Sequence, residues 1–205
     1  MTPILFWKDK QSVQTGVYGR NLLFSPRIPH HKKSLLEHFL KERAEFKKVW
    51  YNREMISHNE TELIALGKQL GKLLEKQDVI ILSGDLGAGK TTFTKGIAKG
   101  LGIDQMIKSP TYTIVREYEG RLPLYHLDVY RIGNDPDSID LDDFLFGDGA
   151  TIIEWGELIE PSLSDAYLKI FIRKLEEGRE LAFEAHGVRA ETLLTSFEQV
   201  GKTDD

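Results

Sequence analysis

A continuous apolar run, Val79-Ile80-Ile81-Leu82, feeds almost directly into a glycine-rich loop, Gly84-Asp85-Leu86-Gly87-Ala88-Gly89-Lys90-Thr91, and few folds accommodate that junction. β-Branched and aliphatic residues without polar interruption mark a strand buried on both faces. Residues Thr91 to Leu101 have helical character, so the loop joins a strand to a helix. Glycines let the backbone curl until successive N–H groups face one point, and the helix start adds its own unpaired amides. The spacing G-x-x-x-x-G-K-[ST] is met by Gly84, Gly89, Lys90 and Thr91. This is the pattern of a phosphate-binding P-loop. The expected phosphate contacts are Asp85, Leu86, Gly87, Ala88, Gly89, Lys90, Thr91 and Thr92. Lys90 is expected to reach the β- and γ-phosphates and to be catalytic, and the Thr91 hydroxyl to ligate Mg²⁺.

The rest of the chain reads as alternating strands and helices. Ser57 and Glu60 have the spacing of a capping box ahead of a helix whose face is traced by Leu63, Leu66, Leu70, Leu73 and Leu74. Thr113–Tyr118 and Leu122–Asp128 flank Glu119-Gly120-Arg121, which predicts a hairpin. A loop-like acidic stretch, Asp135 to Asp143, leads to a short helix around Leu141–Phe146. Thr151-Ile152-Ile153 reads as a second buried strand, ending at Glu154. Leu168–Arg173 and Glu180–Ala185 alternate about Glu177-Gly178 as a closing antiparallel pair, and Ala190–Phe197 reads as a final surface helix. The expected class is α/β, a P-loop NTPase-like three-layer fold with a mixed β-sheet.

Charge divides the chain near Met55. Residues 1–54 hold 11 Lys and Arg against 5 Asp and Glu, a net of +6, while the remainder carries −11 of the overall −5. An acidic body argues against broad unaided binding to nucleic acid, which needs clustered basic residues. The basic segment is read chiefly as solvated charge, with RNA or an acidic partner as the alternative. It contains one amphipathic helical pattern, from Ser34 to Trp50. The expected division is a basic, weakly ordered extension over 1–54, or translation from upstream of a start at Met55, and a P-loop domain over 55–205. The chain has no cysteine, so disulfides and thiolate chemistry are excluded. No apolar run approaches the ~20 residues of a membrane helix. Lys8, Asp9 and Lys10 interrupt the only apolar stretch near the N-terminus, and the expected location is cytoplasmic, with no membrane partner.

Missing motifs narrow the class. There is no N-K-x-D to read guanine, no L-S-G-G-Q of transporter ATPases, no terminal helical bundle of a ring-forming ATPase and no arginine-rich lid of a small-molecule kinase. Two carboxylates end strands where P-loop enzymes place a magnesium-binding acid, Glu154 and Asp128, and they compete for that role. Arg131 reads either as a stabiliser of transferred charge or as an ion-pair partner of Asp128 or Asp135. Ser109-Pro110-Thr111-Tyr112-Thr113 reads either as a loop sensing the γ-phosphate or as a turn into a strand.

Four motifs in order, Gly84 to Thr92, Ser109 to Thr113, His126-Leu127-Asp128-Val129-Tyr130-Arg131 and Ile153-Glu154-Trp155, resemble the bacterial TsaE (YjeE) family over about residues 56–187. The resemblance implies an ATP-binding, ATP-hydrolysing accessory component in formation of the threonylcarbamoyl modification of the tRNA adenosine next to the anticodon. It implies Glu154 as the Mg²⁺ ligand beside Thr91, and Asp128 in the active site as a water-positioning or supporting group. It places Asn59 and its neighbours, and the Gly178-Arg179 turn, near the adenine. TsaD-like and TsaB-like synthase subunits are the implied partners, with tRNA reached indirectly through them and hydrolysis weak in isolation. The alternatives are a small-molecule or nucleotide kinase, and a nucleotide-gated binding module that does not hydrolyse ATP.

Overall fold

The computed structural model describes residues 54–132, 140–163 and 166–200. The expectations for residues 1–53, including the helix over 34–50, and for Asp135 lie outside these residues. Seven strands form one sheet: β1 (Glu54–Ser57), β2 (Val79–Ser83), β3 (Val115–Tyr118), β4 (Leu124–Asp128), β5 (Ala150–Glu154), β6 (Tyr167–Lys174) and β7 (Arg179–His186). Their order is β1-β7-β6-β2-β5-β4-β3. The inner strands β6, β2, β5 and β4 are mutually parallel, and β1, β7 and β3 pair antiparallel at the edges. The sheet is mixed, as its sequence pattern predicts.

Helices α1 (Glu60–Leu73), α2 (Lys90–Gly100) and α4 (Gly187–Val200) cover one face; α3 (Asp142–Leu145) and two 3₁₀ turns, Gly156–Leu158 and Glu160–Ser162, cover the other. Alternation within β2 serves both layers. Ile80 and Leu82 pack under the long helices, while Val79 and Ile81 face Leu141, Leu145 and Ile159. The last helix is longer than its pattern suggested, and its Ala190, Leu193, Leu194 and Phe197 stripe is core, with Phe197 wholly buried.

Two local features differ from the sequence reading. The cap of α1 is Asn59, not Ser57. Asn59 Oδ1 accepts from Glu62 N–H at 2.9 Å, and Glu62 reaches back to the His58 N–H at 2.7 Å. Ser57 is unavailable because it pairs with Arg179 in the β1–β7 ladder. The second is a glycine seam. Gly67 and Gly71 on α1 face Gly96 and Gly100 on α2 so closely that a Cβ on any of them would strike backbone of the opposite helix. Without side chains between them the helices touch main chain to main chain. The start of α1 is thereby held against the loop that precedes α2.

Candidate nucleotide site

The site lies at the C-terminal ends of the parallel strands, where open α/β sheets bind ligands. Residues 84–89 leave β2 and turn sharply, with positive φ at Gly84, Gly87 and Gly89, into the first turn of α2. A side chain at Gly84 would run into the carbonyl of Ile172 on β6, so the loop hugs the sheet edge there. Leu86 projects into solvent, 92% exposed, whereas Ala88 is buried beneath the loop. The first-turn amides of α2 have no partners within the helix, which leaves them available to an anion at the loop.

Lys90 folds back over this loop. Its Nζ donates to the carbonyls of Gly84 at 2.5 Å and Asp85 at 3.0 Å, and sits 3.7 Å from the centroid of the Trp155 ring. Burial pushes its ammonium below the ordinary lysine value, and Glu154, Glu157, Asp128 and Asp85 oppose that shift. Trp155 lies beneath the lysine in a left-handed backbone conformation, φ 63°, which is costly for a bulky residue, and tilts against Tyr130 at 4.9 Å. Trp155 is therefore a floor for Lys90 rather than a free stacking platform.

The two strand-end carboxylates are neighbours. Leu82, Glu154 and Asp128 stand in register across β2, β5 and β4. Oε1 of Glu154 accepts from Thr91 Oγ1 at 2.8 Å and lies 2.8 Å from Nε2 of His126. Asp128 faces a different set of donors. Its Oδ2 accepts from Thr111 Oγ1 at 2.5 Å and from Ser109 Oγ at 3.5 Å, and its Oδ1 from the Tyr130 amide at 3.1 Å. Geometry thus distinguishes the acids: Glu154 sits with the P-loop threonine, Asp128 with the hydroxyls of loop 109–113. Arg131 makes no ion pair among the described residues; its guanidinium stacks over Tyr112 at 4.4 Å.

A cleft of about 150 Å³ opens beside the loop, lined among others by Asn59, Glu60, Gly87, Gly89, Thr92 and Arg179. Asn59 reaches the cleft wall with its amide already engaged: Oδ1 caps α1 and Nδ2 donates to Glu62 at 2.9 Å. Arg179 buttresses the loop by donating from Nε to the Ala88 carbonyl at 2.6 Å. The site's donor set suits Mg²⁺. It offers one hydroxyl and one carboxylate, both oxygen donors. Mg²⁺ keeps waters and phosphate oxygens in its shell rather than requiring a cage of protein ligands.

A family model for the threonylcarbamoyl adenosine biosynthesis protein TsaE matches residues 57–181. The chain belongs to the TsaE family. Among TsaE proteins, that of Bacillus subtilis (strain 168) is 46% identical over 137 residues, covering 66% of this chain and 87% of the relative. TsaE of Treponema pallidum is 42% identical over 125 residues (60% and 93%), and TsaE of Haemophilus influenzae 33% over 149 residues (68% and 93%). The crystal structure of Bacillus subtilis YdiB superposes with a TM-score of 0.65 at 40% identity, covering 72% of this chain and 95% of that one. The TsaE match and the fold make this a nucleotide-binding P-loop protein of NTPase type, and these relatives lend the kinase alternative no support. Among the described residues no helix is long and apolar enough to cross a membrane.

His126 and the glycine seam were not singled out as site-forming by sequence reasoning. His126 and Trp155 lie within the resembling motifs, but their contacts depend on strand register and on one unusual backbone conformation. The seam alone left a signal, the paired spacing Gly67-x-x-x-Gly71 and Gly96-x-x-x-Gly100.

Proposed function

We propose that this chain is the ATP-binding and ATP-hydrolysing component of threonylcarbamoyladenosine synthesis on tRNA, acting in the cytoplasm on synthase subunits of the TsaD and TsaB type. The observation that carries the reading is the convergence of Lys90, Thr91 and Glu154 on one P-loop. The triphosphate would lie along the amides of residues 85–92, displacing Lys90 Nζ from the Gly84 and Asp85 carbonyls onto the β- and γ-phosphates. The adenosine would then extend past Thr92 into the cleft walled by Glu60 and Arg179. Thr91 Oγ1 donates a hydrogen bond to Glu154 and keeps its lone pairs for the cation. Bound there, Mg²⁺ neutralises charge on the transferring phosphoryl group.

In hydrolysis water bonds to the γ-phosphorus as the bond to the β–γ bridging oxygen breaks, releasing ADP and phosphate. Asp128 acts through Thr111 and Ser109, whose hydroxyls it holds on the γ-phosphate side. The protein contributes positioning and charge stabilisation, with no covalent intermediate. Turnover then depends on how a partner surface completes the loop 109–113.

Reconstitution with TsaD-like and TsaB-like subunits, tRNA, an activated threonylcarbamoyl donor and ATP tests the reading. Sustained multiple-turnover formation of the modified adenosine should require this chain and should fail with Lys90→Ala. Undiminished turnover without the chain would remove the proposal. Equal activity of Lys90→Ala and wild type would remove the P-loop's part in it.

A further inference from the structure

We propose that His126 is the positioning residue of the metal site, fixing Oε1 of Glu154 so that Oε2 is presented to the cation. The inference rests on the Mg²⁺ reading given above. His126 lies on β4 opposite Ile152, and Asp128 opposite Glu154, so the imidazole sits one pleat behind the strand ends on the face that carries Glu154. Its side chain is 0% exposed and that of Glu154 4%. Glu154 Oε1 has two partners, the Thr91 hydroxyl and His126 Nε2, each at 2.8 Å, while Oε2 has no protein partner among the described residues. One oxygen is tied down and the other is left open.

The opposite side of the ring explains why a histidine stands there. Nδ1 is buried without a hydrogen-bond partner. Nε2, on the Glu154 carboxylate, is thus the one ring nitrogen with a partner among the described residues. An apolar residue of similar size would fill the space without an orphaned buried polar atom. The ring is thus kept for what Nε2 does. A ligating carboxylate held by a second group is oriented before the metal arrives, and loss of such a partner weakens metal binding.

The test is binding of a non-hydrolysable ATP analogue, measured calorimetrically across a Mg²⁺ titration and again in EDTA. Wild type, His126→Phe, His126→Gln and Glu154→Gln are compared. His126→Phe should raise the Mg²⁺ concentration for half-maximal enhancement of binding ~10–100-fold while leaving affinity in EDTA unchanged, and His126→Gln, which restores a donor, should recover most of the loss. An equal loss of affinity in EDTA and in Mg²⁺ would show a merely structural role and overturn the inference. If Glu154→Gln shifts the Mg²⁺ requirement and His126→Phe does not, the inference fails alone. If neither shifts it, the Mg²⁺ reading at Glu154 fails as well. Should the phenylalanine variant not fold, His126→Asn, whose shorter side chain withdraws the donor from Oε1, takes its place with the same outcomes.

Discussion

Substituting Gly71 by alanine sets two opposing effects against each other inside one helix. In an exposed helix this change stabilises by about 1 kcal/mol, because alanine loses less backbone freedom on folding. Here the new Cβ would lie 2.9 Å from both the Cα and the carbonyl carbon of Ile97 on α2, and closer still to its carbonyl oxygen. Ordinary carbon–carbon contact is about 3.5–4.0 Å, so the helices must part by roughly 1 Å. The obstacle is backbone, with no rotamer to yield, and overpacking of this kind costs about 1–3 kcal/mol. The net expectation is a destabilisation of about 1–2 kcal/mol in urea unfolding, opposite in sign to helix propensity. Because α1 carries Asn59, Glu60 and Leu63 to the cleft wall, nucleotide affinity should fall with it. Gly67 and Gly96 face each other, so Gly67→Ala and Gly96→Ala should be sub-additive by at least ~0.5 kcal/mol, the first having already opened the seam. A Gly71→Ala protein more stable than wild type, with unchanged nucleotide affinity, would refute the seam as a positioning device.

Two further perturbations probe parts of the frame. Arg189 holds the buried Asp78 from two nitrogens, at 2.8 and 2.6 Å, and also reaches the Leu73 carbonyl. Arg189→Met should cost about 2–4 kcal/mol by leaving the buried Asp78 carboxylate with the Glu75 amide but without its guanidinium, with nucleotide affinity unaffected; a cost below about 1 kcal/mol would show that the pair contributes little. Glu160 gives a pH signature. Burial opposes its charge, but hydrogen bonds from Lys169 and Tyr167 outweigh this and hold its carboxyl below the ordinary value of 4.5. The charged form is thus favoured in the folded state, and the contribution is complete above that value and lost as pH falls through the lower folded one. The stability difference between wild type and Glu160→Gln should therefore close on acidification below about pH 4.5, and a difference that stays constant into stronger acid would contradict the assignment.

Much of this fold is written in short-range pattern. The run Val79–Leu82 and its glycine loop predict β2, the P-loop and α2 because a doubly buried strand and a curled anion nest each demand their own residues. The hairpin about Gly120 and the pair about Gly178 are legible for the same reason. What escaped was set by distant partners. Ser57 has the residue type and spacing of a cap, yet pairing with β7 claims its backbone and the duty passes to Asn59. Arg131 was legible only as a charge; that its guanidinium lies over Tyr112 follows from the path of loop 109–113. At the candidate site, local spacing left Glu154 and Asp128 competing for one role, and only the family resemblance set Glu154 beside Thr91. Glu154 belongs with Thr91, and Asp128 with Thr111, because of strand register and loop path, which no local spacing records.

The central claim is that a triphosphate lies on the amides of residues 85–92 with its cation between Thr91 and Glu154. A crystal structure with a non-hydrolysable ATP analogue and Mg²⁺ tests it most directly. The account predicts Lys90 Nζ swung from the Gly84 and Asp85 carbonyls onto the β- and γ-phosphates, and the metal ligated by Thr91 Oγ1 and reached by Glu154 Oε2. Lys90 still on those carbonyls, with the nucleotide bound elsewhere, would contradict it.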